Sequence, residues 1–352
     1  MESLKIAFLS PLGADTPSSR RIAYFAKYLH EFGHETELIY AFNYSKLAHK
    51  FDILHALKLN PKSSLIGWFF KPFFRKLVVD VDDWESLILR ERKRNLAAKF
   101  VEITEDFLLP RCDGVLAGNE PLRQILIKHG VPEKKILETI LNGVELANFN
   151  PALSGEEVRS ALKLGNSPTA VYIGSLGYFS QLLPTLLAMR EIVKEHANAK
   201  LLLVGDGAAK PQLEKLARDL KITQNVIFTG RVPHLETPKY VAAAHACLVC
   251  SPRIPSLEIA APGAKAFEYM AMAKPIIASR MGYAPTIFEN GAGAYLVEPE
   301  PKEIASAFSR IINNQEEARA KGKKAREIVE REYDWKVIAK KVERAYFKVL
   351  TQ

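Results

Sequence analysis

Glycines that directly follow short apolar runs are the first residues in this chain whose placement suggests chemistry. Gly174-Ser175-Leu176-Gly177, Gly205-Asp206-Gly207 and Gly230-Arg231-Val232-Pro233 each close a leucine- or β-branched-rich segment, and Gly13 follows the first such segment of the chain. Glycine lets the backbone turn sharply and approach a ligand closely, and a helix opening beyond it offers free N–H groups to phosphate. A dinucleotide fingerprint is not among them. Gly205-Asp-Gly207-Ala-Ala-Lys210 lacks the third glycine and Gly13 stands alone, so hydride transfer is a poor reading.

Other side chains admit more than one chemistry. Asp80-Val-Asp82-Asp83-Trp84 looks like a metal-binding aspartate pair, yet aspartate before a helical stretch also serves as an N-cap. Cys247 and Cys250 lie inside the apolar run Ala246–Cys250, with no second such pair in the chain. They read as buried small hydrophobes rather than as a metal or redox motif.

The elements that would position these residues alternate strictly. Apolar runs at 5–10, 35–40, 52–55, 77–81, 113–117 and 135–140 are followed by a second set at 169–174, 200–205, 225–230, 247–251, 275–279 and 293–297. Their hydrophobicity is continuous, which predicts parallel strands covered on both faces. Between them lie stretches of helical period. Thr16-Pro17 caps the first, Ile22, Phe25, Ala26 and Leu29 form its inner face, and Gly33 stops it. The same beat in both halves predicts two doubly wound α/β domains, with ligands at the carboxyl ends of the strands. The Asn-, Gly- and Pro-rich stretch 141–167 marks their junction. We therefore expect a first domain over 1–160 and a second over 161–334. Residues 335–352 are expected to form a helix crossing back to the first.

Composition sets the outer limits. The chain has 352 residues, 48% of them hydrophobic and 25% charged, as in a folded globular protein. No uncharged apolar run is long enough for a transmembrane helix, and the opening MESLKIAFLSPLG lacks the basic region of a signal peptide. With only Cys112, Cys247 and Cys250 as cysteines, the expected compartment is the cytoplasm. A net charge of +9 favours anionic partners, though no nucleic-acid-binding motif is present.

The segments LLLVGDGAAKPQLEKLA, VIFTGRVPHLETPKYVAAAHACLVCS and KAFEYMAMAKPIIAS, in this order and spacing, resemble the C-terminal half of group 1 (family 4) retaining glycosyltransferases. LNGVELANFNP is similar to that family's hinge element. KIAFLSPLG, Arg20 with its helix, and VVDVDDW resemble the subset acting in cell-surface and lipid-linked glycan assembly. The resemblance implies the GT-B fold: two Rossmann-like domains with an inter-domain cleft, a nucleoside-diphosphate sugar as donor, no metal and no resident cofactor.

Carried over residue by residue, Glu268 matches the carboxylate that hydrogen-bonds the donor ribose, although a glutamate early in a helix also complements its dipole. Gly230 and Arg231 match the loop facing the base. The family's diphosphate arginine and lysine are absent from the aligned stretch Gly174-Ser175-Leu176-Gly-Tyr-Phe-Ser180-Gln181. Lys265, one turn before Glu268, is the expected substitute, because two phosphate charges in a partly dry site must be offset; Arg253 and Lys210 stand behind it. Ala260 occupies the place of the family's first motif glutamate, Glu258 is out of register, and a loop over 256–263 is expected there. The catalytic candidates are His55, near the reacting sugar, and Asp82 and Asp83, lining the acceptor side with Lys58 and Arg20; Gly13 is expected close to phosphate or acceptor. A histidine at a strand end is often simply hydrogen-bonded, and this reading stays open for His55.

Residues 64–77 (SLIGWFFKPFFRKL) put Ile66, Phe70, Phe73 and Leu77 on one helical face, with Lys71, Arg75 and Lys76 elsewhere. Such a segment is either an interfacial helix resting on an anionic membrane or an ordinary helix packed on the sheet. The function implied is retaining sugar transfer to a glycan or lipid-linked acceptor, in the cytoplasm or at the inner face of the cell membrane. A catalytically silent nucleotide-sugar-binding protein and a sugar-nucleotide epimerase of the same fold are the alternatives.

Overall fold

The computed structural model describes residues 3–14, 16–40, 43–177 and 179–352. Every run read as a strand forms one, and the chain divides into two compact units.

The first unit comprises Met1–Gly143, Glu258–Ala261 and Tyr333–Gln352. Its strands are β1 (Lys5–Ser10), β2 (Glu35–Tyr40), β3 (Phe51–Leu57), β4 (Phe74–Val81), β5 (Gly114–Ala117) and β6 (Ile136–Thr139). They form one parallel sheet in the order β2-β1-β3-β4-β5-β6. Parallel neighbours require helical crossovers, and these cover both faces. The alternation is visible within β1, where Ile6 and Phe8 enter one core and Ala7 and Leu9 the other. Helix Pro17–Glu31 begins where expected, Thr16 accepting from Ser19 N at its N-terminus. The last helix, Trp335–Leu350, packs Ile338, Val342, Tyr346 and Val349 into the same core as Ile6, Phe8, Ile22 and Phe25.

The second unit comprises Val144–Leu257 and Pro262–Glu332. Its strands are β7 (Thr169–Ile173), β8 (Lys200–Val204), β9 (Val226–Gly230), β10 (Ala246–Val249), β11 (Ile276–Ser279) and β12 (Tyr295–Val297), parallel in the order β12-β11-β10-β7-β8-β9. Residues 144–160 pack here rather than with the first unit. Arg159 donates to Ala243 O at 2.7 Å, and Arg326 donates to Phe149 O at 2.8 Å. In each sheet the strand order reverses once, between β1 and β3 and between β7 and β10. A doubly wound sheet binds ligands at the carboxyl ends of the strands flanking such a point.

Two local expectations need correction. Residues 64–77 do not form one amphipathic helix: the chain makes a turn at Pro61–Leu65, a short helix at Ile66–Phe69 and a turn at Lys71–Phe73, then enters β4 at Phe74. Pro72 cannot donate in a helix interior, and Phe74 and Leu77 gain burial as strand residues. The stretch 256–263, expected as a loop, opens inside a short helix, Pro255–Ile259. Cys247 and Cys250 are free and fully buried, and burial pushes both thiols up to about 12. They are inert at neutral pH.

Candidate functional site

In the second unit, backbone geometry ties together the glycine turns at the carboxyl ends of β7, β8 and β9, the first of which flanks the switch point. Gly174 N donates to Val204 O at 2.9 Å, and Gly205 N donates to Gly230 O at 2.9 Å, so the three turns beyond β7, β8 and β9 are tied edge to edge. Gly174 and Gly205 hold φ of 151° and 142°, a region that side chains disfavour. Space forbids a side chain as well, since a Cβ on Gly205 would lie 1.9 Å from Gly174 O.

Helix Ala264–Ala271 brings Lys265 and Glu268 to this place. Separated by three residues, they share a face. Lys265 Nζ lies over the Tyr172 ring, 3.7 Å from its centroid, and a Cβ on Gly174 would come within 2.8 Å of that nitrogen. Tyr172 OH in turn donates to Ser175 O at 3.3 Å. Gly174, Ser175 and Lys265 are thus one cluster. Arg253, weighed as a second phosphate cation, is instead paired with Glu298 at 2.7 Å.

Glu268 is buried, and its Oε1 lies 2.8 Å from His234 Nε2. His234 follows the Gly230-Arg231-Val232-Pro233 loop and rests on Phe149, ring centroids 5.6 Å apart. The Gly230–Pro233 turn and the helix carboxylate are therefore joined through His234. Arg231 itself is exposed. Sequence reasoning passed over His234 and Tyr172. Tyr172 meets Lys265 from 93 positions further on, and only the β9 turn and the 264–271 helix coming together reveal His234.

In the first unit, the carboxyl ends of β3 and β4 carry a compact charge cluster. Lys58, held at φ 71°, places Nζ 3.1 Å from Asp82 Oδ1, 3.2 Å from Asp83 Oδ2 and 2.6 Å from Glu85 Oε1. Burial would lower the Lys58 pKa, but Asp82, Asp83 and Glu85 outweigh it and raise it well above its usual value. Burial pushes Asp82 up to about 6 against the pull of Lys58, with Asp83 and Asp80 adding to the rise. Asp82 Oδ1 receives no well-directed hydrogen bond in spite of its closeness to the ammonium. Asp82 is not a helix cap, because the following helix starts at Glu85 without any side-chain cap.

His55 does not face the carboxyl edge, as the sequence suggested. It lies within β3, fully buried, with Nδ1 2.7 Å from Tyr346 OH and Nε2 3.3 Å from Asp80 Oδ2. Asp80 also takes two hydrogen bonds from the buried Arg21, at 2.7 and 3.1 Å. Arg21 goes on to donate to Ile140 O and Leu141 O. Although burial opposes it, this arginine holds the Asp80 carboxyl far below the usual carboxylate range. Arg21 escaped notice beside the half-buried Arg20, yet it stands at i, i+4, i+7 with the buried Phe25 and Tyr28. Gly13 is exposed, with nothing within 4 Å of an added Cβ. Among the described residues, no group of three or more His, Cys, Asp or Glu side chains is placed to hold a metal ion.

Two six-stranded parallel sheets with flanking helices are the architecture of the GT-B glycosyltransferases. A structure of the Anabaena protein HepE in complex with UDP and glucose superposes with TM-score 0.76 at 18% identity, covering 97% of this chain and 98% of that one. Sucrose-phosphate synthase from Thermosynechococcus elongatus gives 0.78 at 18% identity, covering 99% of each chain.

Over residues 155–328 the chain matches the family model for glycosyl transferases group 1. It is 29% identical over 209 residues to a GDP-mannose-dependent alpha-(1-6)-phosphatidylinositol monomannoside mannosyltransferase of Mycobacterium tuberculosis, covering 58% of this chain and 54% of the relative. It is 33% identical over 138 residues to an alpha-monoglucosyldiacylglycerol synthase of Streptococcus pneumoniae, covering 38% of this chain and 31% of the relative. The matches therefore span about half or less of these relatives.

Proposed function

We propose that this chain is a retaining hexosyltransferase that moves a sugar from a nucleoside-diphosphate sugar to a glycan or lipid-linked acceptor. The observation that carries the proposal is the convergence at the carboxyl end of the second unit's sheet of three glycine turns, one lysine and one buried carboxylate. In this reading Glu268 accepts from the ribose hydroxyls, and the Gly230-Arg231 loop faces the base. Lys265, with the backbone at Gly174, Ser175 and Gly205, offsets the diphosphate charge as the sugar bond breaks. A preorganised cation in a site of low polarity acts most strongly on charge that develops during the reaction, which is where the leaving group needs it.

The acceptor belongs to the first unit, near Lys58, Asp82, Asp83, Arg20 and Gly13, with His55 beneath them as support. Retention follows if the departing phosphate itself takes the proton of the incoming hydroxyl on the same face, so that the protein positions the reactants rather than supplying a nucleophile. The reading includes no metal and no resident cofactor. A neighbouring structure solved in complex with UDP-glucose supports a nucleotide-sugar donor. The names of the relatives above favour a lipid acceptor and hence work at the inner face of the membrane. No helix among the described residues is long and apolar enough to cross a membrane.

A thermal-shift screen of nucleoside diphosphates and nucleotide-sugars tests the donor site. A ligand at a hundred times its Kd should stabilise the parent by about 2.7 kcal/mol. Glu268→Ala should abolish that shift, and His234→Ala should reduce it. Equal shifts in parent and Glu268→Ala would remove the ribose assignment. NMR of the product's anomeric centre then reads retention directly. The alternative of a silent binding protein draws on Ser175 and Ala260, which stand where the family has a cation and a carboxylate. Donor binding without donor turnover, with or without acceptor, would favour it.

A further inference from the structure

Helix Asn95–Leu108 has two apolar faces, and only one is buried. Ala98, Val101 and Leu108 pack inward, while Leu96, Phe100 and Ile103 are 91%, 58% and 56% exposed. At 3.6 residues per turn, the exposed three fall at i, i+4 and i+7 on one line of their own. Phe107 continues that line and meets the edge of Trp68 at 5.0 Å. Trp68 meets Phe69 at 5.3 Å, and Phe69 is 66% exposed. Scattered exposed apolar residues are ordinary, but a contiguous stripe that ends in an aromatic cluster is not.

Cations bracket the stripe. Arg92, Lys93 and Arg94 lie exposed just before the helix, and the Arg111 guanidinium sits 4.1 Å from the Phe107 ring centroid at the other end. Leu96, Phe100, Ile103 and Phe107 carry no carboxylate between them; Glu102 and Asp106 lie along the same edge of the helix as Lys99, and Glu102 is paired with Arg90 at 2.6 Å and with Lys99 at 3.2 Å.

We propose that this stripe is a docking surface for an anionic lipid bilayer. Leu96, Phe100, Ile103 and Phe69 would enter the boundary between headgroups and acyl chains, and the flanking arginines and Lys93 would meet lipid phosphates. Charge complementarity selects this occupant over a second copy of the chain. A two-fold pairing of stripes would set the Arg92–Arg94 end of one copy against the same end or against Arg111 of the other. The inference takes up the membrane part of the reading above but moves its seat from residues 64–77. In that segment Lys71 is tied to Asp113 at 2.6 Å and Arg75 to Asp52 at 3.2 Å.

The test is co-sedimentation of the full chain with phosphatidylcholine vesicles, with or without one quarter phosphatidylglycerol. Leu96→Ser/Phe100→Ser/Ile103→Ser alters only exposed side chains, and Arg92→Glu/Lys93→Glu/Arg94→Glu reverses one bracket. The parent should sediment with the anionic vesicles, and each triple variant should partition at least tenfold more weakly. Both variants should keep the parent's melting temperature and nucleotide-sugar shift. Those two readouts separate failure of docking from failure of the donor site. Equal sedimentation of the serine variant and the parent would overturn the proposal. So would loss on Lys76→Glu alone, or a stripe-dependent dimer in size-exclusion chromatography without vesicle binding.

Discussion

At the scale of single residues, the first unit stores its electrostatic tension at Asp82. An acid whose folded pKa lies near 6, above an unfolded value of about 3.9, holds more protons in the folded state between those limits. Folding stability therefore falls as pH rises through that window. Asp80 works in the opposite sense. Its lowered pKa gives stability that is present above the unfolded value and is lost as the solution is acidified below it. Removing the Asp82 titration should be measurable. Between pH 5 and pH 7 the parent should lose about 1 kcal/mol relative to Asp82→Asn, read from paired thermal or urea melts. Parallel melting curves for the two proteins across that range would contradict the assignment.

At the scale of elements, the strands were legible because strands covered on both faces leave unbroken apolar runs. The glycine turns were legible because their φ values and close approaches leave few alternatives. Gly205→Ala should therefore lower the stability of the second unit by about 2–4 kcal/mol, the range of a backbone clash in an unfavourable conformation. A melt showing an unchanged transition would mean that the turn relaxes freely.

What stayed hidden was orientation. The 64–77 segment has apolar residues spaced for a helix, yet Phe74 and Leu77 also suit a strand, and sheet pairing decided it. Helix Asn95–Leu108 is apolar on two faces, and spacing alone does not tell the buried one from the exposed one. His55 was placed at an edge because its run is short in sequence. In the structure β3 extends to Leu57, and Tyr346 comes from far along the chain to meet the imidazole.

At the scale of the whole molecule, the first unit is discontinuous. Helix Trp335–Leu350 belongs to its core, and Tyr346 completes the hydrogen bonds of His55. Tyr346→Phe should cost about 1 kcal/mol or more, the typical net worth of one hydrogen bond together with the stranding of a buried imidazole nitrogen. A chain lacking 335–352 should lose the first unit's cooperative transition while nucleotide binding persists in the second. Retention of two full transitions would show that the helix merely rests on the surface.

This late helix also fixes an order of events during synthesis. Arg21, His55 and Asp80 leave the ribosome early, but the tyrosine that closes over them is encoded nearly three hundred residues after His55. The unit translated first therefore finishes folding last, and until then a buried-charge site stands open. Its sheet must be sheltered through translation of the whole second unit, so slow elongation or premature termination late in the message would strand an almost complete first unit with an uncovered core.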